Sequence, residues 1–518
     1  MPSSTSANIP ATAPSMTPAR RRLITLVVMA ATMIVILDTT IANVALPHMQ
    51  ASLGANPESV AWVLTSYILA TAIAMPTTGW LRDRLGQRNL FTFAIIGFTV
   101  ASALCGIAAT LPAMVAFRFV QGVFGAYLAP MSQAIMYDIN PPERHAQAMT
   151  IWGMVIMVGP IMGPVLGGWL TDNFNWRWVF YVNVPIGAVA AIGAWLLLDN
   201  GKREKRRFDY LGFGLLALGI GALQIMLDRG SQLDWFDATE IWIEAGIAVA
   251  CLWMFAVHTA TSDNTLLPRT LFADRNFVTA ILAITVIGGI LVAGAALVAP
   301  MLQRLFGYPV FDAGLLTAPR GLGTMIGMLV AGRLAGKIDP RFTILSGMTL
   351  MAVSLGMMTR FDLEMDSSPV ILSGVIQGLG LGLVVLPMNL LALTTLGTRL
   401  RTEAASLYNL MRSIGGSVAI SVTTALIATN VQVSHSDLGA SVSTTSAPYL
   451  NSGLLEQMGV QGEGAMRMID AEINRQALMI AYLDDYWAMM WASLAIIPLV
   501  LFMRAQKMTV PAPVADAH

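Results

Sequence analysis

Charge is scarce in this sequence: only 12% of its 518 residues are Asp, Glu, Lys or Arg, while 56% are hydrophobic. Soluble domains carry roughly twice that charge, so a water-soluble globule is excluded and the apolar surface must face lipid. The 30 cations and 30 anions cancel, which leaves no net charge to attract nucleic acid or a polyanionic substrate. Two cysteines, Cys105 and Cys251, stand far apart in apolar runs and make neither a disulfide framework nor a metal motif. Five histidines are scattered, and no His/Asp/Glu cluster falls within an apolar run, so no metal, cofactor or membrane-enzyme chemistry is expected. A G-x-x-x-x-G-K-[ST] phosphate loop is missing as well, which points to a gradient as the energy source.

Long apolar runs are what the chain has in plenty. A hydrocarbon core of roughly 30 Å needs about 20 apolar residues of helix. Fourteen runs meet that need, at 23–46, 58–80, 90–110, 112–136, 147–171, 178–198, 209–230, 238–260, 277–301, 312–336, 343–361, 369–392, 405–428 and 485–504. The chain therefore reads as an all-α polytopic membrane protein of 14 spans. An even number puts both termini on one side, and Lys and Arg are retained in the cytoplasm during insertion. One set of loops and tails holds 21 cations and the opposite set 6, so both termini are expected in the cytoplasm of a bacterial inner membrane. Residues 1–22 read as a disordered cytoplasmic N-terminus, followed by a retained first helix, and 505–518 as a cytoplasmic tail. The Lys202 to Arg207 cluster is expected to rest on anionic lipid heads. Residues 429–484 form a long polar periplasmic loop, in which 466–481 has a helical pattern. A lid over the outer mouth and a docking surface for another protein both fit that loop.

The chain repeats itself. Gly79 to Arg88 ends span 2 and Gly332 to Arg341 ends span 10, and both read G-x-L-x-x-[RK]-[LI]-x-x-R. Gln121-Gly122 with Pro130 in span 4 matches Gln377-Gly378 with Pro387 in span 12. The offsets, 253 and 256 residues, nearly agree. Residues 23–198 and 277–504 are thus two homologous six-helix halves, and 209–260 is an inserted helix pair. Parallel halves meeting at a central cavity describe the major facilitator fold.

Four motifs in order then carry a resemblance. Leu37 to Pro47 (LDTTIANVALP) resembles the first-helix signature of the 14-span drug:proton antiporters of the major facilitator superfamily, the EmrB/QacA group. Gly79 to Arg88 is similar to that family's loop 2–3 motif, Arg118 to Ala126 to its span-4 motif, and Gly159 to Gly168 (GPIMGPVLGG) to its span-5 antiporter motif. Leu223 to Gly230, Leu233 to Phe236 and the long loop before the last span favour the EmrB-type branch. The resemblance implies export of hydrophobic, drug-like molecules in exchange for protons. It further implies a periplasmic adaptor (membrane fusion protein) and an outer-membrane channel as partners.

A proton-coupled exporter needs a titratable group inside the bilayer, where charge is costly and rare. Asp38 lies eight residues, about 12 Å, from the outer end of span 1, and Arg118 six residues, about 9 Å, from that of span 4. Their similar depth permits an ion pair facing the cavity, in which burial favours the neutral acid and Arg118 favours the carboxylate. It is either the coupling site or a static pair that fixes helix packing. Asn43, Gln121, Tyr127, Asn389 and Arg412 are polar candidates for the cavity, and Arg320 is a further intramembrane cation. Uptake of a nutrient and export of one metabolite or fatty acid remain alternatives to multidrug efflux.

In the loop 2–3 motif, Gly79, Asp83, Arg84, Gly86 and Arg88 act by resemblance as a gate, with Asp138 as the expected partner of Arg82, Arg84 and Arg88. In the antiporter motif, Gly159, Gly163 and Gly167, followed by Gly168, give a flat face for close contact between the halves, and Pro160 and Pro164 disturb the helix. By resemblance this helix limits proton leak.

Overall fold

The computed structural model describes residues 16–201, 203–441 and 463–503, and among them the chain forms helices and no β-strand. The first half comprises α1 (Pro18–Leu53), α2 (Pro57–Ala74, continued by Thr78–Leu85), α3 (Gln87–Ile107), α4 (Leu111–Ile139), α5 (His145–Asn173) and α6 (Asn183–Leu197). The insert is α7 (Tyr210–Arg229) and α8 (Thr239–Thr261). The second half comprises α9 (Arg275–Phe306), α10 (Val310–Leu334), α11 (Pro340–Met358), α12 (Ser368–Thr394), α13 (Arg401–Ser441) and α14 (Glu463–Leu501).

Local chemistry sets the helix ends. Thr17, Asn56, Thr110, Asp209 and Asp274 each place a side-chain oxygen under a free N–H of a first turn, and Gly54 and Gly307 close α1 and α9 at φ 62° and 70°. Pro76 removes a donor from α2, which tightens into a 3-10 turn at Met75–Thr77. Among the described residues, 13 helical segments are long and apolar enough to cross a membrane, and α14 carries the fourteenth run behind Asp484 and Asp485. Their outward faces show large apolar side chains, such as Leu196, Val249 and Trp253, each about seven-tenths exposed, as lipid contact requires.

The internal repeat is visible in the packing. In the first half α2 and α3 pack on α4, α1 packs on α4, α5 and α6, and α3 packs on α6. Raising each number by eight gives the pairs of the second half: α10 and α11 on α12, α9 on α12, α13 and α14, and α11 on α14. The halves meet along two seams, α5 with α10 and α2 with α13, and α4 also reaches α13. Helix α7 packs on α8, α2 and α13, so the inserted pair covers the α2–α13 seam from outside.

The segment 429–484 differs from a loop in the ordinary sense. Helix α13 runs on to Ser441 and α14 starts at Glu463, so both spans continue past their apolar stretches. Asn430 donates to Asp484 at 3.1 Å and His435 meets Asp470 at 2.9 Å, which clamps the two extensions together. The patterned stretch 466–481 lies inside α14. The expectations for the two tails fall largely outside the described residues, as do those for 442–462 and Lys202.

Candidate functional site

Asp38 and Arg118 meet. Both are fully buried, and Arg118 Nη1 donates to Asp38 Oδ2 at 2.5 Å. The other carboxylate oxygen, Oδ1, accepts from Gln121 Nε2 at 2.8 Å and from Asn183 Nδ2 at 3.0 Å. Arg118 also donates from Nε to the Val63 carbonyl at 3.1 Å and from Nη1 to Gln121 Oε1 at 2.8 Å, and its guanidinium lies 4.3 Å from the centre of the Tyr67 ring. Four side chains, Tyr67 of α2, Arg118 and Gln121 of α4 and Asn183 of α6, thus gather around the one carboxylate that α1 supplies. A buried ion pair holds only when further hydrogen bonds occupy its remaining lone pairs and protons, and this one has them on the carboxylate side. Gly122 makes the arrangement possible: a Cβ there would run into the Tyr67 carbonyl and Ala70, so only glycine lets α2 come close enough to stack Tyr67 on Arg118. Contrary to expectation, the pair does not face the cavity; it is sealed within the first half. Gln121 belongs to this network and not to the cavity. No sequence pattern assigns Asn183 a role, and only the folding of α6 onto α3 and α1 shows that it reaches Asp38.

At the end where α2 turns into α3, the halves are locked to each other. Arg82 donates to Asp138 at 2.9 Å and to Thr402, and Arg401 approaches the same Asp138 at 3.6 Å. Asn409 donates to Gln133 at 2.9 Å, and Ser406 donates to the Met75 carbonyl. Gly79 is pressed against the Glu403 side chain, which Arg206 meets at 3.4 Å. Of the three arginines of the motif, Arg82 alone meets Asp138, and Arg401 of the second half joins it there. Arg84 lies over Trp80 and Arg88 over Trp195, both within their own half. Asp83 holds the strap after α6 through its backbone carbonyl, which accepts from Glu204 N at 2.9 Å. Gly86, at φ 88°, lies against Asn200 of the same strap, where a side chain would collide. Arg206 points inward to Glu403 instead of to lipid heads, while Arg203, Lys205 and Arg207 are exposed.

Helix α5 has two working faces. Gly159 lies against Ile36 and Gly163 against Thr40, and a Cβ on Gly167 would stand 3.0 Å from Ile41 and 3.4 Å from Val44, all on α1. The glycine face therefore serves a contact inside the first half, not the contact between halves that was expected. The inter-half contact uses the other face, where Gly153 meets Met328, Ile161 meets Gly321 and Thr150 meets Gly332. A Cβ on Gly168 would meet nothing within 4 Å, and the side chains of Pro160 and Pro164 fall outside the described ones.

A narrow cleft of about 20 Å³ lies where α5 faces α9, α10, α12 and α13. Trp152, Met157, Ile287, Leu291 and Met328 line it, and Arg412 is its one charged lining residue. Of the cavity candidates Arg412 alone is found there. It is steadied by Asn409 at 3.0 Å. Tyr127 meets Thr77 at 3.4 Å, Asn389 accepts from Tyr137 at 3.4 Å, and Asn43 is exposed on α1.

Comparison with known proteins agrees with this architecture. Residues 28–420 match the Major Facilitator Superfamily. The chain is 35% identical over 490 residues to the "Multidrug export protein EmrB" of Escherichia coli (strain K12), covering 93% of this chain and 95% of that one. It is 35% identical over 470 residues to the "Fatty acid resistance protein FarB" of Neisseria gonorrhoeae, covering 90% and 92%. The solved structure of a double Trp mutant of XylE shares the fold, with a TM-score of 0.60 over 94% of this chain and 97% of that one at 13% identity. The chain belongs to the Major Facilitator Superfamily, among its EmrB-like members.

Proposed function

We propose that this protein exports hydrophobic and amphipathic compounds from the cytoplasm across a bacterial inner membrane, in exchange for protons, by alternating access. The observation that carries the reading is that α5 links the cleft to the buried carboxylate. Trp152 and Met157 on the earlier turns of α5 line the cleft, and the following turns pack through Gly159 and Gly163 on Ile36 and Thr40, which flank Asp38 on α1. A compound that wedges into the cleft displaces α5, α1 follows because glycine contacts leave no slack, and the donors around Asp38 are disturbed. Protonation of Asp38 and occupation of the cleft then work against each other, which is the requirement for exchange. Met157 and Met328 give the cleft walls that adapt to cargo of varied shape.

Both termini lie in the cytoplasm in this reading, and the Asp138 hub is the cytoplasmic gate, here shut. The clamped extensions of α13 and α14 stand on the periplasmic side and offer a surface to an adaptor that leads to an outer-membrane channel. The test is accumulation of a fluorescent apolar dye in everted vesicles under an imposed pH gradient. Wild type accumulates dye in proportion to the gradient, and Asp38→Asn loses that dependence at least tenfold while still binding dye. Gradient-dependent accumulation by Asp38→Asn at the wild-type rate overturns the coupling role.

A further inference from the structure

The chain that joins the first half to the insert passes beside the Asp138 hub, and its side chains alternate. Arg203, Lys205 and Arg207 are exposed, whereas the residues between and after them reach back to the protein. Glu204 accepts from Arg399, Arg206 donates to Glu403 at 3.4 Å, and Phe208 meets Trp80 edge-on at 4.6 Å. A period of two is that of an extended chain, so the cationic run is only the outer edge of a strap whose inner edge is built into the molecule.

Main chain and side chains of the strap go to different halves. Its main chain is fastened to the first half: Gln87 N donates to the Asn200 carbonyl at 3.1 Å, Glu204 N to the Asp83 carbonyl at 2.9 Å, and Trp80 Nε1 to the Arg206 carbonyl at 3.1 Å. The same Glu204 and Arg206 send their side chains to the second half, to Arg399 and to Glu403. Gly79 permits the second of these contacts, since a Cβ there would overlap the Glu403 side chain. Both ends of the strap are tied down. Arg20 meets Asp199 at 2.9 Å, and Asp209 accepts from Leu266 N at 3.0 Å and meets His258 at 2.9 Å. The Glu204–Arg399 pair and the Arg82–Asp138 pair both line a cavity of about 340 Å³, so they are two locks and not one network.

We propose that this strap is a second latch on the cytoplasmic side, which rides on the first half through its main chain and releases the second half each time the molecule opens to the cytoplasm. The proposal rests on the alternating-access reading above and adds the linker between the halves to its moving parts. Main-chain bonds to the α2–α3 region stay with one bundle, whereas the two bonds to the second half are ion pairs of side chains that can swing away. The pairs differ in strength. Arg399 and Glu204 are 68% and 48% exposed, so water and salt compete with their attraction. The Glu403 side chain is only 3% exposed and loses its one ion-pair partner among the described residues when Arg206 leaves, which makes this the firmer pair.

The experiment has two arms, both in everted vesicles that carry the full chain with Cys251→Ala. In the first, a lysine-specific protease is added and the rate of cleavage between α6 and α7 is followed. Glu204→Arg and Arg399→Glu are each expected to speed cleavage severalfold, because each sets like charges face to face, and the two together to return it to the wild-type rate. In the second arm, an oxidative bridge between Glu204→Cys and Arg399→Cys is expected to stop gradient-driven dye accumulation, and dithiothreitol to restore it. A bridge between Arg20→Cys and Asp199→Cys, which ties the strap to the first half alone, is expected to leave accumulation intact. Four results overturn the latch: single reversals that leave cleavage unchanged; a double reversal that does not restore it; accumulation that persists through the 204–399 bridge; or an equal block by the 20–199 bridge. Should the unbridged protein accumulate no dye, the export reading fails, while the cleavage rates still decide whether the strap holds the second half.

Discussion

Asp38 and its three donors show how much one carboxylate can be constrained by neighbours of different kinds. Arg118 brings charge to one carboxylate oxygen, whereas Gln121 and Asn183 bring neutral N–H groups to the other. Hydrogen bonds to a charged group contribute about 1.5 to 3 kcal/mol, so losing one matters. Asn183→Leu removes a donor from the buried carboxylate and is expected to lower Tm clearly, as read by fluorescence-detected gel filtration after heating; an unchanged Tm would show that the bond to Asp38 contributes nothing to stability. The pairing of Asp38 with Arg118 was legible in the sequence because depth along a helix follows from residue counting. The participation of Asn183 was not, since it depends on which face α6 turns toward α1, and no spacing within α6 encodes that.

At the scale of the helix, α5 is the instructive element. Its glycine periodicity announced a close helix contact, and the close contact exists, but the partner is α1 and not the other half. Small-residue periodicity specifies how near a neighbour comes and says nothing of which neighbour it is. The consequence can be graded. A side chain at Gly159 or Gly163 overlaps α1 atoms, one at Gly167 is merely tight, and one at Gly168 meets open space. Overpacking of this kind costs about 1–3 kcal/mol. Alanine is therefore expected to lower Tm clearly at 159 and 163, less at 167 and not at 168, as read by fluorescence-detected gel filtration after heating. A uniform response at all four positions would contradict the described packing.

The whole molecule is two similar bundles held together by polar contacts that crowd one end. Asp138 joins Arg82 of α2 to Arg401 of α13, so its removal is expected to loosen that end specifically. Ser406, buried at this seam, offers a reporter once Cys251 is replaced by alanine. A Ser406→Cys thiol is expected to react slowly with a charged maleimide added to everted vesicles, and at least tenfold faster when Asp138→Asn is also present. Equal rates would separate Asp138 from closure. The two-bundle plan was legible from two repeated motifs at nearly equal offsets. The choice of Arg82 over Arg84 and Arg88 was not, because three arginines on one short turn differ only in what the other half presents to them.

The placement of α7 has a mechanical consequence. It is fastened to α2 through the first half and to α13 through the bond from Ser421 to the Leu227 carbonyl, so one flank of the molecule is bound like the spine of a book. Bundles that tilt against each other must then part most widely along the unbound fore-edge, between α5 and α10, and a compound dissolved in the bilayer has its shortest lateral way in on that side.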